Sequence, residues 1–313
     1  MPLTQINLTP DAPLTASGAK LDADALAGML AKAGRGPVVI LLHGFKFSPF
    51  AADACPHSHI LGLSPRKARR AISWPRHLGF SGIREDEGLC LAVGWHARGS
   101  IWRAFREAEA AGDRLGDLLA MLHRIAPEQP VSVIAHSLGA RVFFTALHKA
   151  PAGSVARAVL LTGAEFRDSA ARAMESPAGQ SVEVLNVTSR ENDLYDWMLE
   201  RLIAPQNPFR RTLGHGLRAR PVRWLDVQID DSATLSALRG LGFPVAAPQR
   251  RICHWSSYLR PGLFPLYTAY LRTPERLPLS LLREALPQPQ ARRWSRMLAL
   301  PPLPLPALRR QLR

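Results

Sequence analysis

The chain has 313 residues, 40 Lys+Arg against 25 Asp+Glu, and a formal net charge of +15. At 47% hydrophobic and 21% charged residues it has enough apolar material for a large core, which excludes a disordered or fibrous chain. Three cysteines, Cys55, Cys90 and Cys253, are too few for a disulfide scaffold and fit a reducing compartment. The start lacks a basic stretch followed by an apolar run, and no segment approaches the roughly 18 apolar residues of a membrane span. A soluble, cytoplasmic, globular protein is expected.

Taken in chain order, residues 1–35 form an N-terminal extension with one edge strand (Thr4 to Leu8) and a helix around Leu21 to Ala33. Val38 to Leu42 is short, β-rich and wholly apolar, as suits a strand buried on both faces of a parallel sheet. Leu89 to Val93 is similar. From Ile101 to Leu122 apolar residues recur every three or four places, the stripe of a long amphipathic helix. Val131 to Ala135 is the next strand and Leu138 to about Ala150 a helix. Val155 to Leu161, Val182 to Val187 and Val222 to Ile229 read as strands, about Asp168 to Met174 as a short helix, and Leu263 to Arg272 as a closing helix. Strands alternating with helices predict an α/β protein with an open, mostly parallel, twisted sheet and helices on both faces. Residues 36–286 form that domain, with irregular insertions near 46–87 and 188–221. Residues 287–313 carry six prolines and six arginines without an acid, and are expected to be a flexible basic tail with weak membrane-surface contact.

The sharpest local signal is Ala135-His136-Ser137-Leu138-Gly139. Of 20 serines, only Ser137 has a glycine two places later, and it lies where a strand passes into a helix. Such a serine sits on a sharp turn with its hydroxyl exposed, and small residues two before and two after it allow the backbones to approach. The plainer reading is a serine that caps a helix. Upstream, His43-Gly44-Phe45 follows the first buried strand. The backbone N–H of Phe45 can pair with that of Leu138 to hold a developing oxyanion.

On these motifs the chain, over about residues 36–273, resembles the α/β-hydrolase superfamily on its serine esterase and lipase side. It resembles in particular bacterial hydrolases of unknown substrate with a Trp-containing strand end, here Gly94-Trp95-His96. The resemblance implies the chain order Ser, then Asp or Glu, then His. It makes Ser137 the nucleophile, Asp193 the acid and His254 the base, with Glu191 and Asp196 as competing acids and Glu165 and Asp168 as weaker ones. His215 precedes a strand and falls toward the wrong edge of the sheet; His136 reads as packing. An ester hydrolase acting through an acyl-enzyme is expected, without metal or organic cofactor. Trp95 and Trp74 are candidates to line its pocket. Leu194 to Ile203 reads as a lid over a hydrophobic acyl site or as a helix docked on the core.

Two other classes stay open: an inactive scaffold of the same fold, and a basic protein that binds nucleic acid or a membrane surface. The basic clusters (Arg66 to Arg70, Arg210-Arg211, Arg218 to Arg223, Arg250-Arg251, Arg292-Arg293) are scattered along the chain and lack interleaved aromatics, so no specific nucleic acid is expected. Asp53, Cys55, His57 and His59 alternate as metal ligands on an extended segment do, but Pro56 within the run favours a polar loop.

Overall fold

A computed structural model describes residues 3–33, 36–65, 71–84, 86–287 and 291–298. Eight strands form one sheet: β1 (Leu3–Leu8), β2 (Pro13–Thr15), β3 (Val38–Leu42), β4 (Leu89–Trp95), β5 (Val131–His136), β6 (Arg157–Leu161), β7 (Glu183–Thr188) and β8 (Trp224–Gln228). Their order is β2-β1-β4-β3-β5-β6-β7-β8, and every neighbouring pair is parallel except β1 with β2. The helices are α1 (Ala23–Ala33), α2 (Trp74–His77), α3 (Ile101–Ile125), α4 (Gly139–Leu147), α5 (Arg167–Met174), α6 (Asp193–Ile203), α7 (Ser232–Gly240), α8 (Ser256–Leu259), α9 (Leu263–Arg272) and α10 (Leu279–Ala285).

Strands β3 and β4 are apolar throughout because each has a helical layer on either side. Val38, Ile40 and Leu42 of β3 join the core under α1, α3, α4 and α5, while Val39 and Leu41 join the one under α2, α9 and α10. Strand side chains alternate between faces, so one five-residue run supplies both cores. Two expectations need correction. The N-terminal strand is not an edge: β1 is paired on both sides, and the edge is the three-residue β2. The basic tail is not wholly loose, because residues 291–298 dock on α6 and on the segment before His254; residues 288–290 and 299–313 lie outside the described residues. Also outside them is the Arg66 to Arg70 cluster. Among the described residues no helix is long and apolar enough to cross a membrane.

Crossing from β5, whose end carries Ser137, the chain enters α4, which packs closely on α3. A Cβ at Gly112 of α3 would lie 2.4 Å from Thr145 Cβ and 2.8 Å from Val142 O. Alanine normally adds about 1 kcal/mol over glycine inside a helix, but overpacking a close contact costs about 1–3 kcal/mol. The clash is with backbone and a β-branched carbon, so it wins. Gly112→Ala is expected to lower the urea midpoint, by about 1–2 kcal/mol of unfolding free energy.

Candidate functional site

Ser137 occupies a left-handed conformation, φ 54°, between the last residue of β5 and the first of α4. Its N–H donates to Leu161 O (3.1 Å), and its carbonyl accepts from Ala140 N and Ala164 N. The turn is possible because Gly139, two places on, and Gly44, across from it, lack side chains. A Cβ on Gly139 would stand 2.8 Å from the carbonyl oxygens of Leu42 and His43, and one on Gly44 would stand 2.6 Å from Ser137 Cβ. Thus the turns after β3 and β5 touch. Four non-glycine residues of the described chain have positive φ; Lys46, Ser137 and Thr162 all line one cavity. Backbone strain of about 1–3 kcal/mol per residue persists only where the surroundings enforce it, and it concentrates at functional sites.

That cavity, about 690 Å³, also receives Phe45, Leu138, His136, Asn192, Tyr195, Asp196 and His254. One wall is apolar, from Ile101 and Trp102 of α3 and from Met198, Leu199 and Leu202 of α6. Trp102 Nε1 donates to Leu202 O (2.7 Å), tying the two helices together across the opening. Among the described residues, neither Phe45 N–H nor Leu138 N–H donates to a protein acceptor. Two backbone donors therefore stand free beside the serine.

His43 shapes this corner without entering it. Its Nδ1 donates to Gly44 O (2.9 Å), its Nε2 accepts from Trp95 N–H (3.0 Å), and its carbonyl accepts from Trp95 Nε1 (3.1 Å). Burial pushes its pKa down to about 3, so the ring is neutral, as an Nε2 acceptor must be. Trp95 stacks on His43 (ring centroids 5.4 Å apart), and Trp74 packs edge-on against His136 and Tyr258. Both tryptophans are fully buried behind the cavity wall rather than lining it, which corrects that expectation. His136 is neutral as well, its pKa lowered to about 4 by burial, and its Nε2 donates to the carbonyl of His254 (3.3 Å).

The largest correction concerns the acid. His254 Nδ1 lies 2.6 Å from Asn192 Oδ1. Asp193, one residue on, is turned away: Oδ1 accepts from Arg190 Nη1 (3.1 Å) and Oδ2 from Trp294 N (2.6 Å). Asn192 precedes the first residue of α6, and one helical step of about 100° separates a residue facing the imidazole from one facing the arginines. Three of the other acids are engaged as well. Glu191 pairs with Arg260 (2.5 Å) and Glu165 with Arg141 (2.7 Å), while Asp168 pairs with Arg210 (3.2 Å). His215 lies elsewhere, accepting from Arg293 Nη1 (3.1 Å), with a pKa lowered to about 4 chiefly by burial; it is neutral despite Glu200 at 3.7 Å.

The two loops meet residue against residue. Cys253 N donates to Glu191 O (2.9 Å), setting His254 opposite Asn192, and Tyr195 stacks on the imidazole at 4.8 Å. Residues 291–298 hold both loops from outside. Arg293 donates to Glu200 Oε2 (2.8 Å) and Asp193 O (3.3 Å), and Arg296 to Arg250 O and Pro248 O. Nothing in the composition of that segment signals this clasp. The Ser137 hydroxyl itself holds no hydrogen bond among the described residues, so serine and imidazole share the cavity without a closed bond between them. Nucleophile–base bonds are often long in unliganded sites. The alternating set Asp53, Cys55, His57 and His59 does not converge, since Asp53 pairs with Arg98, His57 Nε2 donates to Asn7 Oδ1, and His59 faces the cavity. Among the described residues no group of three or more His, Cys, Asp or Glu is placed to hold a metal. The chain matches no protein-family model, and comparison with curated proteins finds no match.

Asp196, fully buried beside the cavity, has a pKa raised from 3.8 to about 7, mainly by loss of water, against the opposing pull of Arg190 and Arg293. A carboxyl that binds its proton more tightly when folded stabilises the fold below pH 4 and loses that contribution as pH rises through 7. Wild-type stability is expected to fall relative to Asp196→Asn between pH 4 and pH 7, with a slope approaching about 1.4 kcal/mol per pH unit. Urea denaturation of both proteins at pH 5 and pH 8 checks this.

Proposed function

We propose that this chain is a serine hydrolase with an α/β-hydrolase fold, cleaving esters with an apolar acyl group through an acyl-enzyme. The observation that carries the reading is Ser137, held at φ 54° on a strand-to-helix turn, over a cavity that also holds His254 and the free N–H groups of Phe45 and Leu138. In this reading Asn192 Oδ1 accepts a hydrogen bond from Nδ1–H of His254, the tautomer that carries the basic lone pair on Nε2. Ser137 Oγ attacks the ester carbonyl as its proton passes to Nε2. The carbonyl oxygen gathers charge against the Phe45 and Leu138 N–H donors, the usual largest contribution to such catalysis. The imidazolium then gives its proton to the departing alcohol. Water attacks the acyl-Ser137 by the same route, and the carboxylic acid leaves.

An asparagine orients the imidazole but brings no charge to stabilise its protonated form. Ester hydrolysis through Ser137 does not require that charge, because fixing the tautomer and the ring direction is a separate contribution from charge compensation. The competing reading is an inactive scaffold, favoured by the same amide and by the open bond between Ser137 and His254. The apolar wall of α3 and α6 supports an acyl chain as the recognised group, since burying each methylene contributes about 0.8 kcal/mol, or roughly fourfold in kcat/KM.

A fluorophosphonate probe is expected to label the wild type and fail with Ser137→Ala. A folded wild type left unlabelled establishes the scaffold reading. With p-nitrophenyl esters, Asn192→Ala is expected to lower kcat/KM by about 10²-fold, and Asn192→Asp to retain activity. Equal activity of wild type and Asn192→Ala removes Asn192 from the mechanism.

A further inference from the structure

Basic clusters that lie apart in the sequence converge at one place outside the catalytic cavity. Arg167 opens α5, Arg210 and Arg211 come from the loop after α6, and Arg218 from the turn before β8. With Asp168 and Phe209 they line a pocket of about 430 Å³, four guanidinium groups against one carboxylate. That carboxylate is already engaged, because Arg210 Nε donates to both of its oxygens at 3.2 Å. Arg210 is further fixed over the Phe166 ring, 3.8 Å from its centroid. Arg211 turns one nitrogen to Pro208 O (2.5 Å) and lies 3.9 Å from Glu200. Among the described residues the guanidinium groups of Arg167 and Arg218 hold neither a hydrogen bond nor an ion pair.

The backbone holds these groups in place. Arg167 N donates to Arg211 O (3.0 Å), Arg210 N to Asn207 O (3.1 Å), and Phe166 bridges Thr212. The backbones that carry Arg167, Arg210 and Arg211 are therefore tied to one another, while Arg218 stands exposed at the rim. Burial, and then the charges of Arg218 and Arg211, hold the Arg167 guanidinium below its usual value. An entering anion relieves that repulsion and supplies acceptors for two unused forks.

We propose that this pocket binds the phosphate group of a phosphorylated small molecule, at a site separate from the catalytic cavity. Guanidinium forks match phosphate oxygens two at a time, and several forks around one pocket favour a dianion over a single carboxylate. Phe209, 79% exposed at the rim, offers a flat apolar face to whatever carries the phosphate. The site is a compact cluster around one open pocket rather than a stripe with a row of stacking aromatics, which separates it from a nucleic-acid track.

Calorimetric titration of the full chain with pyrophosphate at low ionic strength tests the assignment. One site is expected, with Kd weakened about tenfold or more in Arg167→Ala and in Arg218→Ala. Arg218 is exposed and makes no bond that the fold uses, so its variant keeps the test valid if Arg167→Ala does not fold. No heat with pyrophosphate, equal affinity in wild type and Arg218→Ala, or equal affinity for sulfate overturns the proposal. So does binding of a single-stranded RNA by a chain that ignores pyrophosphate. Probe labelling at Ser137 reads the hydrolase assignment separately, and neither result depends on the other.

Discussion

Two turns of backbone in contact govern the site. The chain after β3 and the chain after β5 meet where neither Gly44 nor Gly139 has a side chain, and Ser137 takes its left-handed conformation in the space left. Phe45 and Leu138 follow directly on these two turns, so a single close approach sets serine and free donors together. The sheet makes that approach possible: β3 and β5 are parallel neighbours in register, Leu42 opposite Ala135, and so their ends release the two turns at the same level. His43 completes the corner by bonding Gly44 on one side and Trp95 of β4 on the other. Three adjacent strands are thereby locked at the level where the chemistry is proposed.

The opposite wall is set by charge. Asp193 and Arg190, both almost fully buried, anchor the start of α6, and Glu200 gathers Arg293 and Arg211 at its far end. Burying ions is costly unless each is paired and hydrogen-bonded, and here the pairing gives α6 two distinct sides. One side is ionic and tied to the 291–298 segment; the other, with Met198, Leu199 and Leu202, lines the cavity. The helix read as either a lid or a docked element is fastened at both ends.

Legibility followed physical scale. Runs such as Val38 to Leu42 and Leu89 to Val93 reveal buried strands because burial on two sides favours unbroken apolarity, and the Ser137 turn shows because few residues tolerate it. The N-terminal strand was misplaced because its partner β2 has only three residues, too few to leave a pattern. Asn192 is hard to tell from Asp193 in the sequence because the resemblance favours a carboxylate, while the phase of one helical residue decides which side chain meets His254. The clasp was invisible for another reason. Arg293 and Trp294 sit in a proline- and arginine-rich stretch whose composition reads as solvated, and only long-range contacts with Glu200 and Asp193 distinguish it. The arginine pocket likewise needs the fold to gather residues 43 to 51 positions apart.

The position of the clasp in the chain has a consequence for synthesis. Trp294 emerges about 160 residues after Ser137, which at 5–20 residues per second is a delay of roughly 10–30 s. Through that interval a nascent chain lacks the segment that pins Asp193 beside Asn192. The segment that steadies the partner of His254 is thus translated well after the serine turn it serves.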